Sequence, residues 1–192
     1  MRTPLSLLAL ALPLLSPASS AQTIVPIRTL TANDATPGDR FGTDVAIDGE
    51  VVVVGAWGDD TFRGSAYVLR GTAGNVFQEA KLQRSGGAND ELFGRSVAVS
   101  GETIAIGASR AVGAEGRVVV YENTSSPATW VETAVLAGND LSAGDEMGLR
   151  VDIDGDTIVA GAPTQAAFSG AAYVFRRTGG TWAQEVKLVG SG

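Results

Sequence analysis

FGTDVAIDGEVVVVGA, residues 41–56, decides the fold. Val45 and Ile47 alternate with polar or small residues, as on a half-buried strand. Asp48-Gly49 follows, the pair that a tight type I′ hairpin prefers. Glu50 to Val54 then resumes the extended run, so the stretch reads as strand, two-residue turn, strand. It returns as FGRSVAVSGETIAIGA at 93–108 and as MGLRVDIDGDTIVAGA at 147–162. A hairpin recurring at near-fixed spacing marks a repeat architecture, and that controls every later inference.

Leu30, Leu82, Leu136 and Leu188 stand at equivalent points, spaced by 52, 54 and 52 residues. Phe41-Gly42, Phe93-Gly94 and Met147-Gly148 keep the same step. So do Gly55-Ala56, Gly107-Ala108 and Gly161-Ala162, and so do Gly64, Gly116 and Gly170. Each unit holds four extended segments, in the third roughly Leu149–Ile153, Thr157–Ala160, Ala171–Phe175 and Trp182–Leu188. Tyr67, Val119 and Tyr173 share one slot in the third segment. The fourth segment is expected to place Trp182, Gln184, Val186 and Leu188 on one face, with Ala183, Glu185 and Lys187 on the other. The second segments (Val51–Val54, Thr103–Ile106, Thr157–Ala160) are apolar or small on both faces, which belongs inside a stack of sheets.

Four short strands per unit, with both faces covered, predict an all-β chain of β-propeller blades, each of four antiparallel strands. Three blades are present, a partial or open propeller. No segment sustains a helical period, and two-residue hairpins, which make antiparallel neighbours, argue against a parallel β-helix. The units are bounded at 30–81, 82–135 and 136–187. Residues 22–29 precede them as a strand that could close a ring, and 188–192 begin a further repeat.

The units resemble FG-GAP repeats, the blades of the integrin α-subunit propeller and of many secreted bacterial proteins. Phe41-Gly42 and Phe93-Gly94 carry the first half of the motif, and Met147-Gly148 departs by one residue. Gly161-Ala162-Pro163 completes the second half, which Gly55-Ala56-Trp57 and Gly107-Ala108-Ser109 keep in part. The resemblance implies a propeller with binding or adhesion roles and no shared catalytic chemistry. Integrin-type repeats often carry an Asp-rich calcium loop between the first two strands of a blade. Here that connection is only Asp48-Gly49, Ser100-Gly101 or Asp154-Gly155, too short to wrap an ion. The nearest remnant is Asp152, Asp154 and Asp156, read as a charged hairpin end. No metal and no cofactor are expected.

Composition narrows the function classes. The 192 residues include no Cys and no His, and their formal charge is −7. Disulfides, thiol chemistry and imidazole bases are therefore absent. With no basic patch, nucleic acid is not expected as a partner. Residues 1–21 have the form of a signal peptide: a basic start, an apolar run from Leu5 to Leu15 and small residues at Ser19-Ser20-Ala21. The expected location is secreted, periplasmic or at the cell surface, and no second apolar run approaches membrane-spanning length.

Two sets of polar residues are candidates for chemistry. Asp39, Glu91 and Asp145 precede the Phe/Met-Gly step in every unit, where a structural turn wants an acid that bonds its own backbone. Trp57, Asp59, Asp60 and Arg63 sit in one loop of the first unit, and no other unit repeats them. An aromatic with paired acids suits a glycan or an extracellular protein ligand, and loops carry such sites. The chain is accordingly read as a non-catalytic binding or adhesion module. A carboxylate-dependent carbohydrate enzyme, or an accessory domain of one, is the alternative; a purely structural repeat is the third. The longer loops, 57–63, 109–115 and 163–169, should share one face with the interblade segments. Open outer faces on the first and third blades predict either a truncated chain or an arc that closes only by self-association, which would complete the propeller.

Overall fold

A computed structural model describes residues 29–72, 75–125 and 128–190. The signal-peptide segment lies outside them, as does the candidate closing strand except for its last residue. The first blade is the sheet β1 (Val45–Asp48), β2 (Val51–Ala56), β3 (Ser65–Thr72), β4 (Asn75–Leu82), in that spatial order. The second is β5 (Phe93–Ser100), β6 (Thr103–Ala108), β7 (Arg117–Asn123), β8 (Trp130–Leu136). The third is β9 (Arg150–Asp154), β10 (Thr157–Ala162), β11 (Ala171–Thr178), β12 (Thr181–Val189). Every neighbouring pair is antiparallel. The described residues thus form three stacked blades of an unclosed propeller.

The first hairpin differs from the sequence expectation by one residue. Asp48 pairs with Val51, so Gly49 and Glu50 make the turn, and the positive φ of 57° falls on Gly49. Glycine in the first turn position is the type II′ preference, not the type I′ pair of Asp48-Gly49. Gly101 and Gly155 repeat the geometry at 56° and 52°.

Two cores hold the stack together. Val51, Val53 and Val68 of the first blade pack on Val97, Ile104 and Ile106 of the second. Ala98, Ala105 and Val120 pack in turn on Ile153, Ile158 and Phe175 of the third. The middle strand β6 is buried along its whole length, as a strand between two sheets must be. The outer faces lack such cover. Val45 is 63% exposed, while Val97, its counterpart in the second blade, is 4% exposed. Val159, Val186 and Leu188 are exposed on the far side of the third blade.

The fourth strands do not alternate cleanly. A bulge interrupts the pairing at Val68/Leu69, Val120/Tyr121 and Val174/Phe175. Glu185 is the extra residue in β12, between Gln184 opposite Phe175 and Val186 opposite Val174. An added residue reverses the side-chain phase. Trp182 therefore joins the core shared with the second blade, while Val186 and Leu188 face away from it. The expected single apolar face of this strand is two half-faces.

The repeated glycines mark where successive blades touch. A Cβ on Gly55 would run into the carbonyl of Gly94, and one on Gly64 into that of Phe93. Gly107 and Gly116 stand in the same relation to Gly148 and Met147. The Phe/Met-Gly step of one unit is thus seated on the glycines of the unit before it. Isolated bridges Gly64–Phe93 and Gly116–Met147 complete the joints.

Candidate functional site on the loop face

The loop after each second strand contains a short turn: α1 (Asp59–Phe62), α2 (Ala111–Ala114) and α3 (Gln165–Phe168). Their backbone is left-handed. Asp60, Thr61 and Phe62 have φ of 48°, 58° and 61°, and Ala166, Ala167 and Phe168 have 53°, 55° and 71°. Side chains in this region cost roughly 1–2 kcal/mol per residue relative to the right-handed conformation. The return is a set of carbonyls aimed sideways. Phe62 O accepts Leu92 N–H at 2.9 Å and Arg63 O accepts Phe93 N–H at 3.1 Å. Ala114 O and Glu115 O accept Glu146 N–H and Met147 N–H at 2.9 and 3.0 Å. Loop and interblade segment therefore interlock on one face, as the chain direction requires.

Asp39, Glu91 and Asp145 tie down the interblade segments. Asp39 Oδ2 accepts Thr36 N–H at 2.6 Å, and Asp145 Oδ2 accepts Ser142 N–H at 2.7 Å. Glu91 is buried and accepts Arg84 Nε–H at 2.7 Å, with a second bond from Arg84 Nη2. Burial pushes its carboxyl up, but the Arg84 guanidinium and the Ala88 N–H outweigh that and hold it below the usual carboxylate range.

The four residues singled out in the first loop part company. Asp59 is buried, accepts a hydrogen bond from Ser65 Oγ and lies 2.6 Å from Lys81 Nζ. Lys81 also reaches Asp34 at 2.6 Å, and Asp34 accepts the Tyr67 hydroxyl at 2.9 Å. The Lys81 hydrogen bond is the main reason that Asp34 titrates below its ordinary value. Burial raises Tyr67, and the Asp34 acceptor raises it further. Asp60 is exposed and takes a 2.5 Å hydrogen bond from Gln83 Nε2. Trp57 stacks on Phe62 at 5.7 Å between ring centroids, with Arg40 4.3 Å above its ring. Arg63 turns away to donate to Arg84 O at 3.2 Å, at the joint with the second blade.

A cleft of about 490 Å³ opens between this loop and the first interblade segment. Asp34, Asp39, Asp59, Asp60, Phe62 and Lys81 are among its walls. Trp57 and Arg63 do not line it. The sequence reading aligned Tyr67 with Tyr173 but did not bring Tyr67, Asp34 and Lys81 together at this site. Their signal was co-occurrence: Asp140, Lys187 and Tyr173 rebuild the cluster in the third blade, with Tyr173 and Lys187 bonded to Asp140 at 2.7 and 2.6 Å. The second blade has Gly86, Val135 and Val119 at those positions, so the set is lost as a whole. A buried polar group that loses one partner is costly, which favours all or none.

Asp152, Asp154 and Asp156 do not converge. Asp152 accepts the Ile153 N–H at 2.9 Å, and Asp156 is paired with Arg177 at 2.6 Å. Among the described residues, no group of three or more His, Cys, Asp or Glu side chains is arranged to hold a metal ion. Among the described residues, no helix is long and apolar enough to cross a membrane.

Stacked four-stranded blades joined Phe/Met-Gly onto glycine define a propeller-like repeat module. The chain belongs to the FG-GAP repeat family, whose profile matches residues 26–69, 76–121 and 130–175. No curated protein matches the chain.

Proposed function

We propose that the protein is a non-catalytic binding or adhesion module acting outside the cytoplasm, and that it engages an extracellular protein or glycan through the loop face of the first blade. One observation carries this reading. The first blade combines the cleft, the exposed Asp60 and the Trp57–Phe62 stack at a place where the second blade has Ala111-Val112-Gly113-Ala114. Aromatic and carboxylate groups beside a concave surface suit sugar hydroxyls or a basic side chain. The location rests on the signal-peptide form of residues 1–21.

The carbohydrate-enzyme alternative is weakened by Asp59. Its carboxylate is held by Ser65 and Lys81, so it is committed to the fold. A glycosidase needs two carboxyl groups free to act on opposite sides of one bond. A glycan and protein-ligand array probed with the wild-type chain tests the proposal. Trp57→Ala and Asp60→Ala should each weaken capture by about tenfold or more, the scale of an interface hot spot. Thr181→Ala, at the hairpin on the opposite face, should leave it unchanged. Loss of capture with Thr181→Ala alone would place the ligand on the wrong face. Turnover of an arrayed glycan, abolished by Asp60→Ala, would favour the enzyme.

A further inference from the structure

The two ends of the arc are complementary, and we propose that two copies of this chain close head to tail into one ring of six blades, the third blade of each copy seating the first blade of the other. The seats come first. At both internal joints, a glycine pair receives the Phe/Met-Gly step of the following blade. Gly161 and Gly170 are the third pair. A Cβ at Gly161 would meet only Arg150 O, at 3.9 Å, and one at Gly170 only atoms of Pro163. The matching step, Phe41-Gly42, leads the first blade, and a Cβ on Gly42 would meet nothing within 4 Å. The backbone follows the same rule. Phe168 and Ser169 carry the carbonyls equivalent to those that bind Leu92 and Phe93. Arg40 and Phe41 carry the equivalent N–H groups.

Charge agrees with the seats. At the first internal joint Arg70, held by Glu79 at 2.8 Å, reaches across to Glu102 at 2.9 Å. The third blade repeats the donor, with Arg176 held by Glu185 at 2.8 Å. The first blade repeats the acceptor, with Glu50 in the place of Glu102. Position 150 departs from the pattern. Asp44 and Ser96 accept Val97 N–H and Val151 N–H across the internal joints, at 2.9 and 3.1 Å. Arg150 stands there in the third blade and cannot accept, and the equivalent N–H, of Val45, is already bonded to its own Asp44 Oδ1 at 3.1 Å. The apolar surfaces correspond as well: Val159, Val186 and Leu188 at the tail meet Val45 and Ile47 at the head, all exposed in one copy.

The occupant is a second copy because the glycine seats, the Phe168 and Ser169 carbonyls, the Arg176 charge and the exposed apolar residues of the tail each find a counterpart on the head of the same chain. A heterologous contact that closes gives a ring, and propellers close with about four to eight blades. Sedimentation velocity across the micromolar range tests this. The chain should run as one species of twice its own mass. Gly161→Ala should raise the dissociation constant by about tenfold to hundredfold, the cost of one overpacked contact. Its circular dichroism should stay unchanged, because that Cβ meets open space within one copy. Arg176→Glu should weaken the dimer, and adding Glu50→Arg should restore it. A monomer throughout, a ladder of larger oligomers, or a Gly161→Ala dimer as tight as wild type would overturn the proposal.

Discussion

Glu91→Gln should destabilise the protein by about 2–3 kcal/mol. Glu91 is 4% exposed, in the segment between the first two blades. Its two oxygens accept from Nε and Nη2 of Arg84, the geometry of a bidentate pair. Glutamine keeps the shape but removes the charge and turns one amide N–H₂ toward a guanidinium that can only donate. Breaking a buried pair costs about 3–5 kcal/mol. The Arg84 side chain is 16% exposed and can partly recover water, which brings the figure to roughly 2–3 kcal/mol. For a chain of this size that is a fall in Tm of about 4–12 °C. Urea unfolding followed by tryptophan fluorescence measures it directly. The pH dependence gives a second check. The folded-state pKa of Glu91 is lowered, so its contribution is fully present above the unfolded value near 4.5. It is lost as pH falls through the lower folded value. Wild-type and variant stabilities should therefore converge on acidification. A loss under about 0.5 kcal/mol at neutral pH, the worth of a surface pair, would refute the reasoning.

The left-handed turns offer an opposite test. Ala167→Gly should stabilise by about 0.5–1 kcal/mol, the left-handed penalty less the entropy of glycine. The second blade already has Gly113 at that position with φ 68°, and a loss of stability by calorimetry would count against the strain. Calcium should matter little: the two-residue turns leave no loop to wrap an ion, so Tm should be the same with chelator or millimolar calcium. A rise of many degrees with calcium would show selective binding to the folded state.

The blade architecture was legible because the signal was repeated. Gly55, Gly107 and Gly161 could be aligned without knowing what they do. Their purpose, close approach to the next unit's Phe/Met-Gly backbone, appears only when two units are stacked. The bulge at Glu185 was hidden because polar residues occupy both phases of β12, so a clean alternation could be drawn through it. The left-handed turns were hidden for another reason. Asp60-Thr61-Phe62 and Ala166-Ala167-Phe168 contain no glycine; in the first loop three backbone bonds, from Asp90, Leu92 and Phe93 N–H, compensate for conformations these residues disfavour alone, and in the third, among the described residues, only backbone bonds within the loop do. Asp59 was grouped with Asp60 as one pair of ligand-contacting acids, but it is buried and held by Ser65 and Lys81. Adjacent residues in a tight turn point different ways, and its partner Lys81 lies on another strand.

The bulge in each fourth strand gives the repeat a division of labour. One stretch of chain answers to two neighbours: Trp182 packs backward onto the second blade, and Val186 and Leu188 point forward. Deleting Glu185 would bring the strand into a single phase and force a choice between them. The inserted residue works as a phase shifter, letting a short sequence serve as a double-sided adhesive. A chain of such units can grow in one direction because each blade leaves a forward face that its own sequence has prepared for the next.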